Sequence, residues 1–220
     1  ATEGINFFVA GSRHNTDLFV RELTEDPRFA EIQVKRSVSN HQPFNRMLLR
    51  VKREIIPCGV PGVGPASRAT PKISPAELKR WLDKGRRFTL LDVRNDFEVK
   101  LGSFEAAVAI GIANFRDFAP AARKLLPSLK QQPVVMFCTG GIRCEKASAY
   151  YKHKGFKNVY QLDGGIIEYT RQVNEKALEN KFIGKNFVFD ERRSEKISDV
   201  KVRIKVILRN LLIIITGITP

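Results

Sequence analysis

A short turn between an apolar run and a helix-like segment constrains this chain most strongly, because it carries two thiols, two glycines and a guanidinium. Residues 133–137 are typical of a strand buried in a parallel sheet, and residues 143–153 indicate a helix that stops at Gly155. The first thiol is therefore expected at the carboxyl end of a buried strand. The turn consists of Cys138, Thr139, Gly140, Gly141, Ile142, Arg143 and Cys144.

The backbone of such a turn favours an anion. Its N–H groups and the positive end of the following helix both attract negative charge, so we expect a lowered pKa for Cys138. Gly140 and Gly141 allow successive N–H groups to converge on one point, and Arg143 adds a fixed positive charge. The alternative, a small buried hydrophobic cysteine, explains neither the glycines nor the arginine. The turn therefore predicts a thiolate nucleophile at Cys138.

The second thiol of the turn has two interpretations, and both stay open at this point. Cys144 lies six residues after Cys138, a separation that permits contact without requiring it. It is either a resolving cysteine that traps an oxidised Cys138 as a disulfide, or an ordinary buried residue in the first helical turn. Cys58, in a Gly/Pro-rich stretch, is assigned no role.

The charge of the chain favours a polyanionic partner such as nucleic acid. Lys and Arg number 38 against 23 Asp and Glu, giving a net charge of +15. Between Arg28 and Glu54 there are seven bases and two acids, mostly on strand-like segments where alternate residues share a face. A merely solvated basic surface is the alternative. The candidate nucleic-acid contacts, chiefly to phosphates, are Arg46, Arg50, Lys52 and Arg53.

Residues 1–56 indicate a small α+β domain. We expect a strand near residues 5–9, a helix with Asn15 as its N-cap, and strands near residues 32–38 and 47–56. Residues 57–72 contain four prolines and three glycines without periodicity, which predicts a linker.

Residues 73–180 indicate a second domain in which strands and helices alternate. Ser74 and Glu77 form a capping box around Pro75 at the start of a helix. The alternation predicts a parallel sheet with helices on both faces, and it puts the cysteine turn where such sheets bind ligands.

Targeting and membrane signals are not found in the sequence. Three cysteines without a paired spacing and no signal peptide favour the cytoplasm. The apolar stretch at residues 206–218 is shorter than the ~20 residues that a bilayer requires, so no membrane association is predicted. His14, His41 and His153 are scattered, and neither a metal-binding nor a nucleotide-binding motif is present.

Motifs on both sides of the turn resemble a rhodanese-like domain. Asp92, Arg94, Glu98 and Gly102 precede the turn, and residues 163–166 follow it. The run 137–148 resembles more narrowly the bacterial tRNA uridine(34) hydroxylase family, and the resemblance extends from about Gly4 to Ser198. Supporting segments are residues 4–6, 26–29, 52–55, 114–118 and 187–192.

The resemblance implies an α/β fold, a rhodanese-like doubly wound parallel sheet preceded by a ferredoxin-like α+β domain. That first domain is expected to be truncated, because the chain starts at Ala1 where the family would already have made a strand and a helix. Residues 181–220 are expected to form a C-terminal extension that diverges after about residue 198. Phe7, Phe8 and the run 106–113 also depart from the family pattern.

The resemblance also implies a reaction, the oxygen-dependent hydroxylation of uridine 34 of tRNA to 5-hydroxyuridine. Cys138 would be essential, residues 139–143 would form its anion pocket, and tRNA, molecular oxygen and a reductant would be required. Asp92 and Arg94 would be structural, with Arg94 paired to an acid such as Glu98. A sulfurtransferase that passes on a persulfide sulfur and an inactive RNA-binding remnant are the alternatives. No DNA partner is predicted, and the oligomeric state is left open.

Overall fold

Two compact units make up the chain in the computed structural model. The first contains residues 1–55, 189–192 and 203–220, and the second contains residues 56–188 and 193–202. The residues that the structure describes are 1, 3–39, 41–64, 70–176, 179–187, 194–196 and 210–217.

Six α-helices and eleven strands are found among these residues. The helices are α1 (Arg13–Glu25), α2 (Pro75–Asp83), α3 (Asp96–Val99), α4 (Phe118–Leu129), α5 (Ile142–His153) and α6 (Gly165–Lys176). The strands are β1 (Ile5–Gly11), β2 (Gln33–Ser39), β3 (Lys72–Ile73), β4 (Thr89–Asp92), β5 (Gly102–Phe104), β6 (Ala107–Ala109), β7 (Val134–Phe137), β8 (Val159–Leu162), β9 (Phe182–Phe187), β10 (Ser194–Lys196) and β11 (Asn210–Gly217).

A three-stranded sheet in the order β1-β11-β2 forms the first unit, and both pairs are antiparallel. Helix α1 begins one turn earlier than predicted, because the side chain of Ser12, and not of Asn15, accepts the capping hydrogen bond. Phe7 and Phe19 meet edge to face with ring centroids 5.8 Å apart. The apolar cluster of this unit comprises Phe7, Phe19, Val20, Leu23, Ile32 and Val34.

The strand predicted near residues 47–56 is wrong. That segment has no regular structure, and Met47 and Val51 are 91% and 97% exposed. The position between β1 and β2 is instead filled by β11, whose run Leu211–Ile215 is richer in β-branched residues than the basic segment. The part of the predicted C-terminal extension that forms β11 therefore belongs to the first unit.

The second unit is built on a five-stranded parallel sheet in the order β3-β8-β7-β4-β6. Alternate residues of β7 pack on opposite faces: Val134 and Met136 join a core with α4 and α5, and Val135 and Phe137 join a core with α2 and α6. This confirms the predicted doubly wound sheet with helices on both faces.

Part of the predicted linker packs into the second unit. Cys58 and Val63 are buried in the core that contains α4 and α5, and Thr70 is also buried. The side chain of Ser74 accepts a hydrogen bond from the N–H of Glu77 at 3.1 Å, as the capping pattern predicted.

No helix in the described parts of the chain is long and apolar enough to cross a membrane.

We expect a chain that ends at residue 198 to lose the order of the first unit, because β1 and β2 then lack the strand between them. Hydrogen exchange followed by mass spectrometry should show loss of amide protection in residues 5–11 and 33–39, with protection in β4 and β7 unchanged as the internal control. Protection of β1 and β2 that survives the truncation would mean that a different segment occupies the position of β11.

Candidate active site

The cysteine turn lies at the carboxyl end of β7, as the sequence predicted. Strand β7 ends at Phe137 and α5 begins at Ile142, so Cys138 follows the strand directly. The N–H of Gly141 donates a hydrogen bond to Sγ of Cys138 at 3.1 Å. Gly141 has φ +100°, a left-handed conformation that favours glycine and turns this N–H onto the sulfur.

The surroundings of Cys138 stabilise its thiolate. Burial alone would raise the pKa of this cysteine, but the hydrogen bond from the thiol of Cys144, the charge of Arg143 and the backbone N–H groups of Cys144 and Arg143 lower the pKa to about 5. A thiol with that pKa is ionised at neutral pH and therefore nucleophilic.

The guanidinium of Arg143 is held by a buried carboxylate. Its Nη2 donates to Oε1 of Glu98 at 2.8 Å, and its Nη1 donates to the other oxygen. The hydroxyl of Thr139 donates to the same Oε1 at 3.1 Å, and the N–H of Asn95 donates to Oε2 at 3.2 Å. Only 6% of the Arg143 side chain and none of the Glu98 side chain is exposed. The cysteine turn is thus tied to the segment that follows β4.

Arg94 pairs with Asp92 and not with Glu98, which corrects the predicted pairing. Nε and Nη2 of Arg94 donate to the two carboxylate oxygens of Asp92 at 2.9 and 2.6 Å. Oδ2 of Asp92 also accepts from the hydroxyl of Ser103 at 2.7 Å, and Nη2 of Arg94 donates to the carbonyl of Gly102 at 2.7 Å. Asp92 and Arg94 therefore hold the start of β5, and Glu98 remains available for Arg143.

The start of α6 supports the cysteine turn through backbone contacts that sequence reasoning did not find. The N–H groups of Ile166 and Ile167 donate to the carbonyls of Cys138 and Thr139, both at 3.0 Å. A Cβ on Gly165 would overlap the carbonyl oxygen of Cys138 and lie 2.8 Å from that of Thr139, so only glycine permits this approach. The paired glycines at positions 164 and 165 are the sequence signal of this contact.

The predicted site residues fall into three groups. Gly141, Arg143 and Cys144 lie around the sulfur of Cys138. Thr139 and Glu98 contact the guanidinium of Arg143 and belong to this first group, whereas Asp92 and Arg94 form a separate buried pair. The candidate nucleic-acid contacts belong to the first unit, where they are exposed on a segment without regular structure. Within the described ranges, no three His, Cys, Asp or Glu side chains are grouped to hold a metal ion. The candidate contacts are Arg46, Arg50, Lys52 and Arg53.

Both units match known domain families. Residues 74–172 match the family model described as a rhodanese-like domain, and residues 1–55 match the one described as a UPF0176 acylphosphatase like domain. The solution NMR structure of a rhodanese-like domain from Anabaena sp. aligns with 52% of this chain and 80% of its own, with a TM-score of 0.42 and 24% identity. The family model over residues 74–172, together with the parallel sheet and the cysteine turn, defines a protein with a rhodanese-like domain.

Relatives that align with most of the chain give a more specific assignment. A tRNA uridine(34) hydroxylase of Bordetella petrii is 47% identical over 197 residues, which are 87% of this chain and 77% of the relative. A tRNA uridine(34) hydroxylase of Cupriavidus taiwanensis is also 47% identical, over 87% of this chain and 68% of the relative. The chain belongs to the tRNA uridine(34) hydroxylase family.

Replacement of Glu98 by alanine should destabilise the second unit strongly, because it removes the carboxylate that pairs with the buried guanidinium of Arg143. We expect Glu98→Ala to lower the free energy of unfolding in urea by about 3–5 kcal/mol. Glu175→Ala is the matched control, since it removes a carboxylate from the half-exposed Arg171–Glu175 pair, where solvent screens the charges. Equal effects of the two variants would contradict a supporting role for the buried pair.

Proposed function

We propose that this chain hydroxylates uridine 34 of tRNA to 5-hydroxyuridine and that the thiolate of Cys138 is its catalytic group. Membership of the tRNA uridine(34) hydroxylase family carries the choice of reaction. The geometry supports the choice of residue, because Sγ of Cys138 accepts a hydrogen bond from Gly141 and lies in the field of Arg143.

Three residues of the turn support the thiolate in this proposal. The N–H of Gly141 and the charge of Arg143 hold negative charge on the sulfur, and the hydroxyl of Thr139 helps to hold Glu98 against Arg143. If molecular oxygen supplies the hydroxyl group, its second atom leaves as water and two electrons must be provided. A reductant is therefore part of the proposed reaction.

Access to the sulfur requires movement of the turn. Cys138 is 0% exposed, and Gly140, Gly141 and Ile142 form the partly exposed edge above it. A uridine base cannot touch the sulfur in this conformation. We infer that the edge is displaced when the anticodon binds, a change that the two glycines make easy.

The first unit is proposed to contact the tRNA backbone. Arg46, Arg50, Lys52 and Arg53 are exposed and close in sequence, so they present a concentrated positive charge. Arg28 and Arg36 are less suitable, because their guanidinium groups pair with Asp26 and Asp17. A tRNA substrate also favours a cytoplasmic location for the protein.

Cells that lack tRNA uridine 34 hydroxylation provide the direct test of the reaction. We expect the wild-type chain to restore 5-hydroxyuridine in bulk tRNA and Cys138→Ser to abolish it, because a serine hydroxyl is not ionised at neutral pH. Nucleoside mass spectrometry measures the product, and Cys58→Ala controls for the loss of a thiol elsewhere in the same unit.

The same assay defines the result that would contradict this function. Failure of both the wild type and Cys58→Ala to restore the nucleoside would exclude the hydroxylase. Rapid cyanide-dependent formation of thiocyanate from thiosulfate by that same protein would then identify a sulfurtransferase. Binding of tRNA without either activity would identify an RNA-binding remnant.

The proposed backbone contacts predict a change in the salt dependence of tRNA binding. Replacing Arg46, Arg50, Lys52 and Arg53 by alanine should reduce the slope of log K against log salt by about 0.7 for each phosphate that the protein no longer neutralises. The matched control replaces four exposed bases of the second unit, Arg123, Lys124, Lys130 and Lys157, by alanine. An equal reduction of the slope in both variants would show that net charge alone, and not this segment, binds tRNA.

A further inference from the structure

Two of the three cysteines lie in the turn of the candidate active site, and both belong to the same buried cluster. Cys138 follows β7, Cys144 lies in the first turn of α5, and both side chains are 0% exposed. Gly141 links the two residues, because its N–H donates to Sγ of Cys138 at 3.1 Å and its carbonyl accepts from the N–H of Cys144 at 3.0 Å. Because Gly140 and Gly141 lie between them, the backbone that joins the two residues can adjust more freely than one built of larger residues.

The two sulfurs are held in opposite protonation states. Burial raises the pKa of Cys144 well above its usual value, and the hydrogen bond to Cys138 and the negative charge of Cys138 raise it further. The positive charge of Arg143 lowers the pKa of Cys144 and so favours its thiolate. When Cys138 loses its negative charge by oxidation, two of the causes that keep Cys144 protonated disappear, while the attraction of Arg143 remains.

We propose that Cys138 and Cys144 form a reversible disulfide, through which an oxidised Cys138 is returned to its thiol state. The proposal rests on the proposed function only in taking Cys138 as the reactive thiolate. It adds Cys144 as a second redox residue, and it identifies the chemical class of a co-reactant, a dithiol reductant.

The chemistry of this cycle is balanced when hydrogen peroxide is the oxidant. The Cys138 thiolate attacks one oxygen, the O–O bond breaks, and sulfenic acid and hydroxide are formed. The sulfur of Cys144 then attacks the sulfur of Cys138, the S–O bond breaks, and water leaves with the proton of Cys144. An external dithiol gives two electrons and two protons to the disulfide and is itself oxidised to a disulfide.

Substitution of Cys144 by serine or by alanine distinguishes a resolving thiol from a residue that only donates a hydrogen bond. Cys144→Ser keeps a donor to Cys138 but cannot form a disulfide, whereas Cys144→Ala removes both capacities. If Cys144 is only a donor, the serine variant behaves like the wild type in every measurement. If Cys144 is a resolving thiol, the serine variant loses the disulfide and keeps a low pKa at Cys138.

The full-length chain is treated with hydrogen peroxide and followed by intact-mass and peptide mass spectrometry. We expect the wild type and Cys58→Ala to lose two hydrogen atoms, to yield a peptide that links Cys138 to Cys144, and to recover both thiols with dithiothreitol. We expect Cys144→Ser and Cys144→Ala to add oxygen at Cys138 instead and to progress to the sulfinic acid, which dithiothreitol does not reduce.

The pH dependence of alkylation by iodoacetamide completes the test. The midpoint for Cys138 should stay low in Cys144→Ser and move to higher pH in Cys144→Ala, which shows that the serine variant keeps the environment of the thiolate. Sulfinic acid accumulating equally in the wild type and in Cys144→Ser, without a linking peptide, would overturn the proposal. These measurements need no tRNA, so they can fail or succeed independently of the hydroxylase test.

Discussion

The buried ion pair between Glu98 and Arg143 is the interaction on which the rest of the site depends. It joins the segment after β4 to the first turn of α5, and these elements follow neighbouring strands of the parallel sheet. Burying two charges costs free energy of desolvation. The pair is tolerated only because further hydrogen bonds satisfy the carboxylate oxygens. Thr139 and Asn95 supply the additional donors to Glu98. The position of Arg143 beside Cys138 is therefore fixed by a residue more than forty positions away in sequence.

The sequence was sufficient for the local parts of the site and for the layered sheet. The apolar run before Cys138 favours a buried strand, and the glycines after it permit the left-handed turn from which α5 starts, so strand, turn and helix follow from local chemistry. Local chemistry did not predict which acid pairs with Arg143 and which acid pairs with Arg94. Glu98 lies four residues after Arg94, but the choice depends on which side of the sheet edge each side chain enters.

The first unit shows a second limit of sequence patterns. Residues 49–52 alternate apolar and basic side chains, a good strand pattern taken alone, yet β11 occupies the position between β1 and β2. An alternating pattern indicates that a segment can form a strand. It does not show whether another segment pairs better with the same neighbouring strands. Because β11 takes that position, Met47, Leu49 and Val51 remain exposed, and the neighbouring bases keep the segment solvated.

The charge balance at Cys138 explains why the turn needs so many donors. Arg143 contributes one positive charge, while Glu98 and the thiolate contribute one negative charge each, so the group as a whole is negative. Glu98 therefore orients Arg143 but does not itself favour the thiolate, and the excess negative charge must be balanced by dipoles. Gly141 supplies an N–H directly, and the first turn of α5 supplies the positive end of a helix. These dipoles come from the backbone, so the reactivity of Cys138 depends on the conformation of the turn as much as on the side chains that surround it.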